Sequence, residues 1–204
     1  MFVRDVDIHT CSLDTPGSLE LLSLDERARA AGFRFDHHRN RYIACRSMLR
    51  VILAGYLETD PRGIEFAYNP NGKPFVPGLF FNVSHSAGFA LYAVSRTREV
   101  GVDIERIDPK FAAGQIPERF FSPLEVRTLR ALPEHLQLEA FFRCWTRKEA
   151  FVKAVGLGLS MPLASFDVTL APGEPARFLR GGDGWELESL DPVSGYAAAV
   201  AAKI

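Results

Sequence analysis

LFFNVSHSAGFALYAVSRTREVGVDIE, residues 79–105, reads as three short strands at 79–84, 89–95 and 100–105, because apolar β-branched and aromatic residues cluster there between polar turns. The last two strands are separated by the polar turn Arg96-Thr97-Arg98-Glu99. In Gly101-Val102-Asp103-Ile104-Glu105 the side chains alternate across the pleat, so Val102 and Ile104 face one way and Asp103 and Glu105 the other, roughly 6–7 Å apart along the strand. Two carboxylates this close repel unless a cation lies between them, and a hard, oxygen-seeking ion such as Mg²⁺ is the usual solution. Taken alone, an Asp-x-Glu is more often a solvated strand face than a metal site.

Upstream, residues 69–78 (NPNGKPFVPG) are turn chemistry throughout, which predicts Lys73 on an exposed, conformationally fixed loop. Residues 39–57 predict a helix, with Tyr42, Ile43, Leu49, Ile52, Leu53 and Tyr56 at spacings of three and four and with Arg39, Arg46 and Arg50 at other angles, a cationic side. Ser23-Leu24-Asp25-Glu26 has capping-box spacing and predicts a helix to about residue 33.

Downstream, residues 108–117 are irregular and mark an inter-lobe crossing. Ser122-Pro123-Leu124-Glu125 is a second capping box opening a helix to about residue 132. A longer helix follows at 138–155, ended by Gly156 and Gly158, and then strands at 165–170, 176–179, 185–190 and 196–202. Each half thus reads as a long helix followed by about three strands. The expected fold is α+β: two similar lobes, residues 1–107 and 108–204, related by duplication, each a long helix on a small antiparallel sheet, with the site in the cleft between them.

The helix Trp145-Thr146-Arg147-Lys148-Glu149-Ala150-Phe151-Val152-Lys153 puts Glu149 and Lys153 four apart on one face, the spacing of an ordinary stabilising pair or of two site residues. Trp145, one turn earlier, reads as packing. In Phe81-Asn82-Val83-Ser84-His85-Ser86, adjacent Ser84 and His85 point to opposite faces of a strand, which disfavours a serine hydrolase pair; His85 suits a phosphate-oxygen donor better. Of five lysines, Lys73, Lys148 and Lys153 fall in these segments, while arginines 27, 29, 34, 39, 41, 46 and 50 dominate the early helices and could engage a terminal phosphate.

A net charge of −1 without runs of like charge argues against a nucleic-acid binder working by bulk electrostatics. Cys11, Cys45 and Cys144 are odd in number and lack metal spacing, and the amino-terminal stretch has no signal-peptide run, which predicts a cytoplasmic protein. No apolar stretch approaches the roughly 20 residues of a membrane span.

Asn82-Val83-Ser84-His85-Ser86, Gly101-Val102-Asp103-Ile104-Glu105, Trp145 to Ala154 and Gly156-Leu157-Gly158-Leu159, in this order and spacing, closely resemble the Sfp-type 4′-phosphopantetheinyl transferases (holo-acyl-carrier-protein synthases). Gly72-Lys73-Pro74 and the arginine-spaced segment 39–50 fit the same family, and the resemblance covers about residues 20–170. It implies transfer of the 4′-phosphopantetheine arm of coenzyme A to a serine of an apo acyl or peptidyl carrier protein by a monomer, releasing adenosine 3′,5′-bisphosphate. By position, Asp103, Glu105 and Glu149 would hold Mg²⁺, or Mn²⁺ in its place. His85 and Lys153 would contact phosphate oxygens. Arg41, Lys73, Ser84 and Lys148 would help hold the nucleotide. Glu149 would be the general base, directly or through a metal-bound water, with Lys153 and His85 as its catalytic partners. A position where the family often carries a cation for the 3′-phosphate is Glu26 here, leaving Arg27 or Arg29 to substitute. The segment 108–124, with Phe111, Phe120 and Phe121, is a candidate carrier-docking surface. The alternative reading is a catalytically lapsed module of the same fold that binds coenzyme A or a carrier.

Overall fold

The structure, a computed structural model, describes residues 3–112 and 115–204. The first lobe runs β1 (Asp7–Ser12), α1 (Leu24–Ala31), α2 (Asp36–Leu57), a small hairpin of β2 (Ala67–Tyr68) and β3 (Pro74–Phe75), then β4 (Phe80–Ser86) and β5 (Phe89–Ser95). The second runs β6 (Val100–Arg106), α3 (Pro109–Ala112), α4 (Ile116–Phe120), α5 (Pro123–Ala131), α6 (Glu134–Val155), the short pair β7 (Asp167–Val168) and β8 (Phe178–Arg180), then β9 (Trp185–Leu190) and β10 (Tyr196–Lys203). The sheets are ordered β1-β5-β4 and β6-β10-β9, both antiparallel. Each lobe therefore repeats one plan: a strand, a capped short helix, a 22-residue helix, a small strand pair and an antiparallel pair whose last strand lies beside the first.

The duplication is as expected, but its unit is not. β1 gives no strand signal in the sequence, because Asp-Ile-His-Thr-Cys-Ser carries little apolar alternation. β6 follows β5 through the tight turn 96–99 and reads as its hairpin partner, yet it crosses to the other sheet, Asp103 lying opposite Ala199 of β10. The seam thus falls at 96–99 rather than at 107/108, and the repeat begins with a strand rather than with a helix. Ala113 and Gly114, in the expected crossing, lie outside the described residues, as does the side chain of Phe111.

Among the described residues, three apolar clusters hold the layers together. One lies under α2 with Leu49, Leu53, Phe81 and Tyr92, and a second under α6 with Phe141, Phe142, Phe151 and Ala199. The third joins the lobes, with Leu91 and Ala93 of β5 against Val102, Ile104 and Val200. Trp145 stacks among Phe120, Phe121 and Phe141, as packing. Phe120 and Phe121, expected on a docking surface, are thereby turned toward this core, Phe121 being 4% exposed.

Both capping boxes form, and both put the glutamate to a second use. Glu26 is buried against Arg50 (2.7 Å) and Arg46 (2.5 Å), and Glu125 against Lys148 (2.8 Å). Arg50 and Lys148 are each the fifteenth residue of their long helix, so the two lobes share one buried ion pair between the short helix and the long one. This corrects two expectations. Arg50 is not on an outer cationic side, and Lys148 is not a cofactor ligand: it has no exposure and donates to the carbonyls of Leu163 and Phe166 at 2.8 and 2.6 Å. Glu26, at the position where a cation is expected, instead locks α1 onto α2 through Arg46 and Arg50. Arg27 is occupied with the carbonyls of Leu22 and Glu20, and Arg29 lies over the Tyr42 ring.

Lys148→Met leaves Glu125 buried without its counter-charge, and the expected cost is about 3–5 kcal/mol in urea unfolding. A loss below about 1 kcal/mol would contradict the structural assignment.

Candidate active site at the lobe seam

β6 is the edge strand of its sheet, so its outer amides need partners other than a backbone ladder. β4 supplies them from its side chains. Asn82, Ser84 and Ser86 share one face by the two-residue period of a strand. Asn82 Oδ1 accepts from Val102 N at 3.0 Å, Ser84 Oγ from Ile104 N at 3.4 Å and Ser86 Oγ from Arg106 N at 3.1 Å. The two strands run parallel in this ladder of side chains, which satisfies donors that would cost about 1–3 kcal/mol each if buried alone.

The same two hydroxyls turn toward the carboxylates. Ser84 Oγ donates to Asp103 Oδ1 at 2.8 Å and Ser86 Oγ to Glu105 Oε2 at 2.7 Å. From the other side, Lys153 Nζ donates to Asp103 Oδ1 at 2.5 Å and to Ser84 Oγ at 2.8 Å. Lys153 reaches this point because α6 lies directly on β6. A Cβ at Gly101 would stand 2.2 Å from Ala150 O and Ala154 N, so glycine there lets strand and helix backbones touch. Glu149, one turn before Lys153, shares its face.

Electrostatics mark this cluster as one unit. Burial pushes the Glu149 carboxyl above its ordinary pKa, Asp103's negative charge adds to the rise and Lys153 opposes it. Burial also raises Glu105, with Asp103 and Glu149 adding and the Ser86 hydrogen bond and Lys153 opposing. Both glutamates therefore lie close enough to Asp103 to sense its charge. Asp103 is 2% exposed, and its Oδ2 is buried with no hydrogen-bond partner. Among the described residues no three or more His, Cys, Asp or Glu side chains are closed into a ready-made cage. The donors nevertheless fit a hard divalent cation: all are carboxylate oxygens, repelling one another, one of them buried and unpaired.

His85 projects from the opposite face of β4 to Ser84 and is exposed. Close protein surroundings and the Lys153 ammonium hold it below its ordinary pKa, so the neutral ring prevails at pH 7. Ser84 is buried and committed to Asp103 and Lys153, which removes both the hydrolase pairing and an open nucleotide contact. Arg41 pairs with Asp14 at 2.8 Å, and both line a cavity of about 390 Å³ beside the tip of the β4–β5 hairpin, whose lining does not include Asp103, Glu105 or Glu149. Lys73 is not on a free exposed loop: its ammonium donates to the carbonyls of Val100 and Ala154. The seam residues missed in the sequence are Asn82 and Ser86, and their signal was present as polar residues at 82, 84 and 86, every second position of one strand.

Residues 99–201 match the 4′-phosphopantetheinyl transferase superfamily, and residues 14–97 match the family described as 4′-phosphopantetheinyl transferase, N-terminal; the two matches divide at the 96–99 turn. The chain is 41% identical to the 4′-phosphopantetheinyl transferase HetI of a Nostoc species, over 97% of this chain and 87% of that one. It is 32% identical to the 4′-phosphopantetheinyl transferase Sfp of Bacillus subtilis, over 74% of this chain and 68% of that one. A solved holo-(acyl-carrier-protein) synthase from Bacillus anthracis, in complex with CoA, is 18% identical with a TM-score of 0.45, covering 52% of this chain and 94% of that one.

Raised carboxyl pKa values mean that the folded protein binds protons that the unfolded chain has released. The resulting stabilisation is full below the unfolded value of about 4.3 and is lost as pH rises through the folded values. Glu149→Gln should therefore gain stability over wild type as pH rises above the unfolded value of about 4.3, in urea titrations with EDTA present. A difference that does not change with pH would show that the folded protein does not raise the Glu149 carboxyl.

Proposed function

The chain belongs to the 4′-phosphopantetheinyl transferase superfamily, and from that membership we infer that it transfers the 4′-phosphopantetheine arm of coenzyme A to a serine of an apo carrier protein, releasing adenosine 3′,5′-bisphosphate. One observation carries the placement of the chemistry: Asp103 of one element, Ser84 of a second and Lys153 of a third meet within hydrogen-bond distance at the seam, with Glu105 and Glu149 beside them.

Attack of a serine hydroxyl on the β-phosphorus side of a pyrophosphate needs a base, charge neutralisation and alignment more than covalent chemistry. Glu149, with its pKa raised by burial, is suited to take the serine proton on its carboxylate. Lys153 carries a fixed ammonium at the seam, and in the complex it stabilises the departing phosphate oxygens. Neutral His85 offers a ring N–H to a phosphate oxygen from the hairpin end. Asp103, Glu105 and Glu149 would hold Mg²⁺, which supplies charge neutralisation of the pyrophosphate when bound. Arg41, beside its cavity in the first lobe, is the basic residue best placed to meet the nucleotide end.

The acceptor is an apo acyl or peptidyl carrier protein, and the enzyme acts as a cytoplasmic monomer. Among the described residues no helix is long and apolar enough to cross a membrane, and the three cysteines are free. A lapsed binding module is the weaker reading, because Asp103, Glu105, Glu149 and Lys153 are all in place.

Incubation with coenzyme A, Mg²⁺ and a panel of apo carriers should add one phosphopantetheine arm, read by intact mass. Glu149→Gln should lower the rate by about 100-fold or more with the fold intact by circular dichroism. Tight coenzyme A binding without turnover on any carrier would favour the lapsed module instead.

A further inference from the structure

The last carbonyls of a helix have no intrahelical partners and carry the negative end of its dipole. In α6, the helix that carries Glu149 and Lys153, two of these carbonyls are satisfied from the other lobe. Asn69 Nδ2 and Asn71 Nδ2 donate to Gly156 O at 3.2 and 3.1 Å, and Lys73 Nζ donates to Ala154 O at 2.8 Å. The same ammonium donates to Val100 O at 3.2 Å, at the start of β6 and three residues before Asp103. One cation thus bridges the two elements whose side chains form the seam cluster.

The bridge is built on a stiff support. Asn69 Oδ1 accepts from Asn71 N at 2.9 Å and from Lys73 N at 2.8 Å, and Gly72, at φ +82°, closes the turn onto Asn69 O at 2.9 Å. Gly156, at φ +76°, lets the loop come close, since a Cβ there would meet Lys73 Cδ at 3.1 Å and Asn69 Nδ2 at 3.2 Å. Burial lowers the Lys73 pKa to about 8, as expected for an ammonium packed between carbonyls rather than facing solvent.

We propose that the 69–73 loop is a cross-lobe cap that sets α6 against β6, and that Lys73 is a positioning residue for transfer rather than a ligand of the nucleotide. Lys153 precedes Ala154 by one residue and Glu149 lies one turn earlier, so a shift of the last turn carries both away from Asp103. A displacement of about 1 Å at such a site can cost on the order of 100-fold in rate.

The inference rests on the transferase reading above, and the test separates the two. In Lys73→Met, kcat should fall roughly 10- to 100-fold, while the KM for coenzyme A and the calorimetric Kd for adenosine 3′,5′-bisphosphate stay within about twofold. Asn71→Ala should move kcat the same way by a smaller factor, and it decides the matter if Lys73→Met does not fold. Amide exchange in the last turn of α6 should quicken at least about tenfold in either variant, with β9 and β10 unchanged, whether or not the wild-type chain turns over. Three outcomes overturn the proposal: bisphosphate affinity weakened about tenfold with kcat retained, which makes Lys73 a ligand; a lowered melting temperature with both kinetic constants intact; or unchanged exchange in α6. Absence of transfer by wild type, with exchange in α6 responding as stated, would remove the functional reading and leave the cap standing.

Discussion

The constraint on which the seam depends is the free edge of β6. An edge strand against another layer must find partners for its amides, and here they come from Asn82, Ser84 and Ser86 of β4 rather than from a backbone. A ladder of side chains fixes register as firmly as a backbone ladder, because a slip of one residue would set Val83 and His85 against the amides. The hydroxyls that satisfy β6 have a hydrogen left to give, and they give it to Asp103 and Glu105. Joining the lobes and orienting the carboxylates are consequently the work of the same atoms.

The duplication explains why the carboxylate cluster lies at the seam and not within a lobe. Both long helices use their fifteenth residue, Arg50 or Lys148, to bind the glutamate of a capping box, and that pair holds each lobe's short helix to its long one. One position further along, the helices diverge: α6 has Glu149 and then Lys153 where α2 has Val51 and then Gly55. The three seam carboxylates and Lys153 all lie in the second copy of the repeat, Asp103 and Glu105 on the strand that opens it and Glu149 and Lys153 on its long helix. The first lobe contributes the polar face of β4 and the loop that caps α6.

The cluster stores electrostatic tension. Three carboxylates and one ammonium share a mostly buried volume, two of the carboxyls are raised in pKa by burial and by their neighbours, and one oxygen of Asp103 has no hydrogen-bond partner. A site so arranged favours an incoming cation and tolerates a proton, which are the two things that attack on a pyrophosphate requires.

Local signals were legible in the chain: two capping boxes, two long helices, the alternation that puts Asp103 and Glu105 on one face, and the four-residue spacing of Glu149 and Lys153. The ordered motifs were enough to indicate the family. Three-dimensional pairing was not legible. The turn 96–99 looks like a hairpin, and the crossing of β6 to the second sheet is decided by which apolar faces bury together, Val102 and Ile104 with Val200 rather than with β5 alone. Lysines at 73, 148 and 153 look equivalent in sequence, yet one bridges two carbonyls, one is an ion pair in the core and one holds Asp103. A charge acquires its role from what is desolvated around it, and that is a property of packing between residues distant in the chain. The sequence by itself determined the elements and the chemical types available; the tertiary structure decided which cations hold the fold together and which one stands at the seam.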